Sequence, residues 1–205
     1  MPGRSKQSQL LAHYKDIYEA MEEGVRVDTV FLDFAKAFDK VDHSILMRKV
    51  IKHKIKGKIG RWIMEFLINR KFIVIANGTK SESEDVLSGV PQGTVLAAIL
   101  FIIMISDIDE KIKQCIVRCF VDDTKVSNKI KTENDKKVMQ EDLNTIYKWA
   151  QDNSMKFNSN KFEQLNYGEV NDVTAVPYKN SANEEITSGD TVKDLAILTN
   201  NKFMM

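Results

Sequence analysis

Cysteine is scarce: Cys115 and Cys119 are the only two in 205 residues. Four positions apart, they match no zinc-binding spacing, and they read as small apolar core residues of a reducing compartment. The opening MPGRSKQSQLLAHYK lacks the apolar centre of a signal peptide, so the chain is expected to be intracellular rather than secreted, with nucleus and cytoplasm equally open. No apolar stretch approaches the roughly 20 residues that span a bilayer. The longest, VLAAILFIIMI at 95–105, predicts a buried helix, and no membrane is expected as a partner. Excess charge of one sign is lacking too, since 30 Lys and Arg against 29 Asp and Glu leave +1, a balance that identifies no partner. There are no internal repeats and no low-complexity linker. What is present, 43% hydrophobic and 29% charged residues, is the composition of a globular chain long enough to bury a core of its own.

The charge is unevenly placed. RKVIKHKIKGKIGR (48–61) carries Arg48, Lys49, Lys52, Lys54, Lys56, Lys58 and Arg61 and no acid, whereas ESED (82–85) is acidic. Such a basic run is either a solvated helix face or a patch that meets phosphates.

Periodicity supplies the elements. Leu10, Leu11, Tyr14, Ile17, Tyr18 and Met21 recur at helical spacing as far as Gly24. VDTVFLDF (27–34) switches to β-branched and aromatic residues, a strand with Asp33 near its end. Helical patterns follow at about 43–54 and 59–69. KFIVIANGTKSESEDVL predicts two strands around Asn77-Gly78. GVPQG (89–93) is a loop leading to the apolar helix. CIVRCFV and TKVSN predict a second hairpin with Asp122 and Asp123 at its turn. Thr132 with Asp135 has the form of a capping box, opening a helix to about Asn153. Short strands are expected near 156–157, 162–167 and 173–178. The order predicts an α+β fold, an antiparallel sheet with helices packed on one face.

Two adjacent carboxylates at the end of an apolar run repel each other and resist burial. Asp122 and Asp123 are either plain turn residues or ligands of a hard divalent cation such as Mg²⁺. The second reading needs a third carboxylate, for which Asp33, ending another apolar strand, is the candidate. On neighbouring strands the three would meet at one sheet edge, where such a cluster does not stay ionised without a cation. In SGVPQGTVL (88–96), Gly89, Pro91 and Gly93 form a tight loop whose backbone can approach a ligand, and Gln92 offers both a donor and an acceptor.

In sequence, FLDFAKAFDKVDH, SGVPQGTVL, CFVDDTKV and MKFNSNKFEQL resemble the consecutive motifs of a reverse transcriptase palm, of the non-LTR (LINE-like) retrotransposon kind. GRSKQSQLL, GKIGRWIMEFLINR and VKDLAIL extend the likeness over about residues 3–198. The resemblance implies RNA-directed DNA polymerisation on an RNA template and DNA primer from deoxynucleoside triphosphates. Asp33, Asp122 and Asp123 match the carboxylates that hold two Mg²⁺ ions, for which Mn²⁺ is a possible substitute, with backbone carbonyls near Phe34 completing the shell. Phe38, expected at the start of the next helix, matches the bulky residue that clashes with a ribose 2′-hydroxyl. Gln92 and Gly93 match the segment lying against the incoming nucleotide, and Lys161 the lysine that protonates pyrophosphate. The run at 48–61 becomes a contact with template–primer phosphates.

By the same resemblance, residues 1–26 are a helical remnant of the fingers, 27–168 the palm, and 169–205 a partial primer grip and start of a thumb. Fingers and thumb are thus expected to be incomplete, with the missing segments as possible partners. The chain departs from the family at Ala97-Ala98, where Gly-Pro is usual, and at Val121, Phe162 and Ala196. The competing reading is a catalytically inactive remnant that binds nucleic acid or protein; a nucleotide cyclase is disfavoured by SGVPQG and the residues around Asp33.

Overall fold

The computed structural model describes residues 5–168 and 176–201. In chain order its elements are α1 (Lys6–Glu22), β1 (Arg26–Asp33), α2 (His43–Lys52), α3 (Gly57–Leu67), β2 (Lys71–Phe72), β3 (Ile75–Ala76), β4 (Thr79–Lys80), β5 (Glu84–Asp85), α4 (Val95–Ile105), β6 (Ile116–Phe120), β7 (Asp123–Ile130), α5 (Glu133–Asp152), β8 (Glu163–Tyr167), β9 (Thr187–Ser188), β10 (Thr191–Asp194) and β11 (Ile197–Asn200), with a single 3-10 turn at Ser159–Lys161. Among the described residues no helix is long and apolar enough to cross a membrane. The chain divides into two units, one holding the residues up to Phe34, Ile108–Ala150 and those from Phe157 onward, the other Ala35–Asp107 and Gln151–Lys156.

The first unit is built on a five-stranded sheet in the order β6-β7-β1-β8-β9. Its pairings are antiparallel except the short parallel edge between β8 and β9. β1 is central because its sequence is apolar on both faces: Val27, Val30 and Leu32 are each at most 4% exposed. α1 begins at a reciprocal cap, the Ser8 N–H donating to Ser5 Oγ at 3.2 Å and the Ser5 N–H to Ser8 Oγ at 2.7 Å. It sets Ile17 and Ala20 against Val27, Leu165, Tyr167 and Val192.

The opposite face of β1 carries Asp28, which accepts from Arg26 Nε at 2.6 Å and from the Tyr178 hydroxyl at 2.8 Å. α5 lies on this side: its Lys136 ammonium sits 5.1 Å from the Tyr178 ring centroid. Its Asp135 carbonyl accepts from Asn128, the register partner of Asp28. The α+β class with an antiparallel sheet is as expected, and within this unit α1 covers one face of β1 and α5 the other, as a strand buried on both sides requires.

The expected capping box opens α5, with Asp135 accepting from the Thr132 N–H at 2.8 Å and its own N–H donating to Thr132 Oγ1 at 3.3 Å. The strand expected at 162–167 is β8, and that at 156–157 is reduced to a bridge between Phe34 and Phe157. Of 173–178, residues 173–175 lie outside the described residues and 176–178 form no strand. Cys115 and Cys119 are free thiols. Burial pushes both up, Cys119 to about 11, so neither is a reactive thiolate.

In the second unit Asp42 caps α2, accepting from the Ile45 N–H at 2.9 Å. The Asn77-Gly78 hairpin forms as expected between β3 and β4, both turn residues taking positive φ, 49° and 78°. α4 corrects one expectation. Leu100, Phe101 and Met104 are fully buried, but Val95, Ile99 and Ile102 are exposed, so the helix is buried along one side only. A helix of uniformly apolar residues carries no periodicity to tell its two sides apart.

Candidate active site

β1 and β7 bring two of the three carboxylates together. Their antiparallel register sets Asp33 directly opposite Asp123, and residues directly opposite in a ladder project to the same face. Asp122 occupies the two-residue turn between Phe120 and Asp123, after Val121. Val121 takes φ 58°, a conformation that costs a β-branched residue on the order of 1–2 kcal/mol. That strain is held at the hairpin tip by the ladders on either side.

Burial raises the Asp123 carboxyl above its usual range, followed by the negative charges of Asp122, Asp33 and Asp194, with Lys125 opposing. The position is short of positive charge. Part of the need is met by Lys161, at the end of the 3-10 turn, whose Nζ donates to Asp33 Oδ2 at 2.9 Å. Lys161 is itself raised, mainly by that bond to Asp33. Its side chain is 63% exposed, so the contact is a weak one. Asp33, Asp123, Lys125, Lys161, Asp194 and Leu195 line one open cavity of about 440 Å³.

Among the described residues no group of three or more His, Cys, Asp and Glu side chains stands ready to hold a metal. The structure thus joins Asp33, Asp123 and Lys161, leaves Asp122 on the turn beside them, and gives Asp33 an ammonium for a partner. The donor chemistry still fits a hard divalent cation: hard carboxylate oxygens, opposed in register, under mutual repulsion. The Phe34 side chain contributes no ligand atom. It is 3% exposed, stacked on Phe157 with ring centroids 4.3 Å apart, and it fixes the end of β1. The Asp33 carbonyl is tied as well, accepting from the Asn158 N–H at 2.8 Å.

Phe38, Gln92 and Gly93 belong to the second unit. Residues 35–40 form turns, not the expected start of a helix. Phe38 there is half-buried and stacked on Phe101 of α4, 5.0 Å between centroids. The 88–93 loop packs on this turn: the Val90 N–H donates to the Phe38 carbonyl and the Gly89 N–H to the Val41 carbonyl, each at 2.8 Å. Gly89 has φ 84°, and a Cβ there would lie 2.8 Å from Asp39 Cα and from the Phe38 carbonyl oxygen, so only glycine fits. Gln92 and Gly93 are exposed at the loop tip.

Sequence reasoning missed the residues that hold this loop. Arg70 donates to the Gly89 and Leu67 carbonyls, and His43 Nε2 lies 2.8 Å from the Gly89 carbonyl oxygen. The signals were Arg70 as the last residue of GKIGRWIMEFLINR and His43 as the last of FLDFAKAFDKVDH. The basic run needs a correction. Arg48, Lys52, Lys54, Lys56, Lys58 and Arg61 are exposed, but Lys49 is buried, donating to the Met104 carbonyl at 2.6 Å and pairing with Asp107 at 2.5 Å. It braces α2 against α4 and is not available to a phosphate.

Comparison with known proteins bears on the family and the fold. Residues 5–188 match the family described as reverse transcriptase (RNA-dependent DNA polymerase). The RNA-directed DNA polymerase from mobile element jockey of Drosophila melanogaster is 30% identical over 159 residues, 73% of this chain and 17% of that protein. A probable RNA-directed DNA polymerase from transposon X-element of the same species is 27% identical over 78% of this chain and 18% of its own length. The chain therefore spans less than a fifth of the length of these relatives. Among solved structures, telomerase from Candida albicans in complex with a fragment of telomeric RNA superposes with a TM-score of 0.66 at 14% identity, over 96% of this chain and 34% of that one. Apo telomerase from Candida tropicalis, truncated from its C-terminal domain, gives 0.65 at 13% identity, over 95% and 38%. These two likenesses concern the fold.

Proposed function

The chain belongs to the reverse transcriptase (RNA-dependent DNA polymerase) family, and on that premise we propose that it is the palm of an RNA-directed DNA polymerase, with residues 27–168 as that palm and 1–26 and 169–205 as its flanks. The observation that carries this reading is the register of Asp33 against Asp123, with Asp122 on the adjoining turn. Asp33, Asp123 and Asp122, with the Phe34 carbonyl, would hold two Mg²⁺ ions, or Mn²⁺ in their place. Such ions would acidify the primer hydroxyl and neutralise triphosphate charge.

The chain's own residues do the rest. Lys161, held beside the site by its bond to Asp33, would give a proton from Nζ to the departing pyrophosphate. Phe38, braced by Phe101, opposes its bulk to a 2′-hydroxyl, and so favours deoxynucleotides. Gln92 and Gly93 present amide and backbone groups to the nucleotide from a loop held by Arg70 and His43. The exposed cations between Arg48 and Arg61 meet template and primer phosphates without reading bases.

The test is primer extension on an RNA template with Mg²⁺, comparing the chain with Asp33→Asn and Asp123→Asn. Extension by the unaltered chain that both substitutions reduce by a factor of at least about 10² supports the reading, since catalysis here is mostly positioning and charge neutralisation. No extension, alongside intact binding of the template–primer, would favour instead a nucleic-acid-binding module without catalysis. The Lys161–Asp33 pair is the observation on that side.

A further inference from the structure

Lys125 stands two residues beyond Asp123 on β7 and on the same face, because side chains alternate along a strand. Its register partner is Phe31, two residues before Asp33, so Lys125 lines the cavity that holds both carboxylates. Its ammonium bonds to neither of them. It pairs with Asp194 of β10, the two side chains being 3% and 2% exposed, and lies 5.8 Å from the Phe31 ring centroid. Asp194 closes β10 just before Leu195 and Ala196, which both take positive φ and turn the chain into β11.

A buried ion pair is rarely more stabilising than two apolar side chains of similar size. This one lies beside a group of carboxylates, where a stray ammonium has consequences. Same-face residues on a strand lie about 6.6 Å apart, a span that an extended lysine covers. Asp123 is therefore the anion within reach of Lys125 along its own strand once Asp194 is gone.

We propose that Lys125 and Asp194 form a positioning pair: Asp194 keeps the Lys125 ammonium off Asp123, leaving that carboxylate open to a divalent cation, and the same contact fastens the β10–β11 hairpin to the carboxylate-bearing strand. The cation half rests on the site reading proposed above, and the fastening half does not.

The full chain and three variants are compared by Mn²⁺ titration calorimetry and, without metal, by hydrogen exchange of the amides of 191–200. Asp194→Asn weakens Mn²⁺ binding about tenfold, the scale set by outer partners of metal ligands, and speeds exchange in the hairpin. Lys125→Met speeds exchange likewise but leaves Mn²⁺ affinity undiminished, because no ammonium is left to compete. The double variant Lys125→Met/Asp194→Leu replaces the pair by two apolar side chains and returns both readouts toward those of the unaltered chain. Equal loss of Mn²⁺ affinity in the two single variants would mark a merely structural pair and overturn the cation half. Unchanged hairpin exchange in Asp194→Asn would overturn the fastening half. An unaltered chain that takes up no Mn²⁺ would refute the site reading and the cation half with it, while exchange still decides the fastening.

Discussion

His13, on the inward side of α1, is 0% exposed and neither ring nitrogen has a hydrogen-bond partner. It packs edge-on to Phe31 and Tyr167, with centroids 6.5 and 6.4 Å away, and so serves as an apolar ring between helix and sheet. Burial lowers its pKa from 6.5 to about 3, helped by the positive charges of Lys125 and Arg118. The folded value lies below the unfolded one, so the neutral ring's contribution is complete above about pH 6.5 and is lost as pH falls toward 3. The loss is on the order of 4 kcal/mol at the acid end. Urea melts between pH 7.5 and 4 should therefore show the chain losing stability relative to His13→Leu as pH drops; parallel curves would mean that His13 is not held neutral. Nothing in the sequence marked His13, a polar residue on an apolar stripe whose ring partners on β1 and β8 meet it only through the packing of helix on sheet. Lys49 escaped for the same reason. It is one of seven cations in the run by sequence, and only the packing of α2 against α4 separates it from its exposed neighbours.

Elements were legible where their determinants are local. Asn77-Gly78 and the Thr132–Asp135 box formed as read, since each is fixed by residues within four positions of one another. The two-residue strands β2, β5 and β9 are too short to carry an alternation, and the hold of Arg70 on the 88–93 loop spans 19 positions. That loop separates two ways in which glycine matters. Gly89 and Gly93 have similar φ, 84° and 91°, yet a Cβ at Gly89 meets backbone at 2.8 Å whereas at Gly93 nothing lies within 4 Å. Gly93→Ala should therefore cost only the conformational penalty, about 1–2 kcal/mol. Gly89→Ala adds a clash with backbone that cannot rotate away and should cost more, upward of about 3 kcal/mol. Chemical denaturation of both variants gives the comparison, and equal costs would show that the turn at 38–39 yields to the loop.

For the molecule as a whole, the partners of β1 could not be read from alternation. β7 and β8 follow it by about a hundred residues or more, and a strand's pattern says which face is buried, not which strand lies alongside. Asp33 was legible as the third carboxylate from its place at the end of an apolar strand, but whether its strand neighbours theirs was not, and the register sets Asp123 opposite it. Charge is a second property of the whole chain. With a net +1, no long-range field draws a polyanion, so attraction must come from local clusters within a Debye length of about 8–10 Å. The exposed run of Arg48, Lys52, Lys54, Lys56, Lys58 and Arg61 is such a cluster, and each phosphate it neutralises adds about 0.7 to the slope of log affinity against log salt on a single strand. Replacing Lys54, Lys56 and Lys58 by Gln should flatten that slope by about 2, measured by fluorescence anisotropy with a labelled oligonucleotide between 50 and 300 mM salt, roughly the range over which such contacts are screened. Lys49→Met separates binding from folding: it should leave the slope unchanged and lower the melting temperature, because Asp107 loses its buried partner. A slope indifferent to the triple replacement would remove the run from the nucleic-acid interface and leave it a solvated helix face.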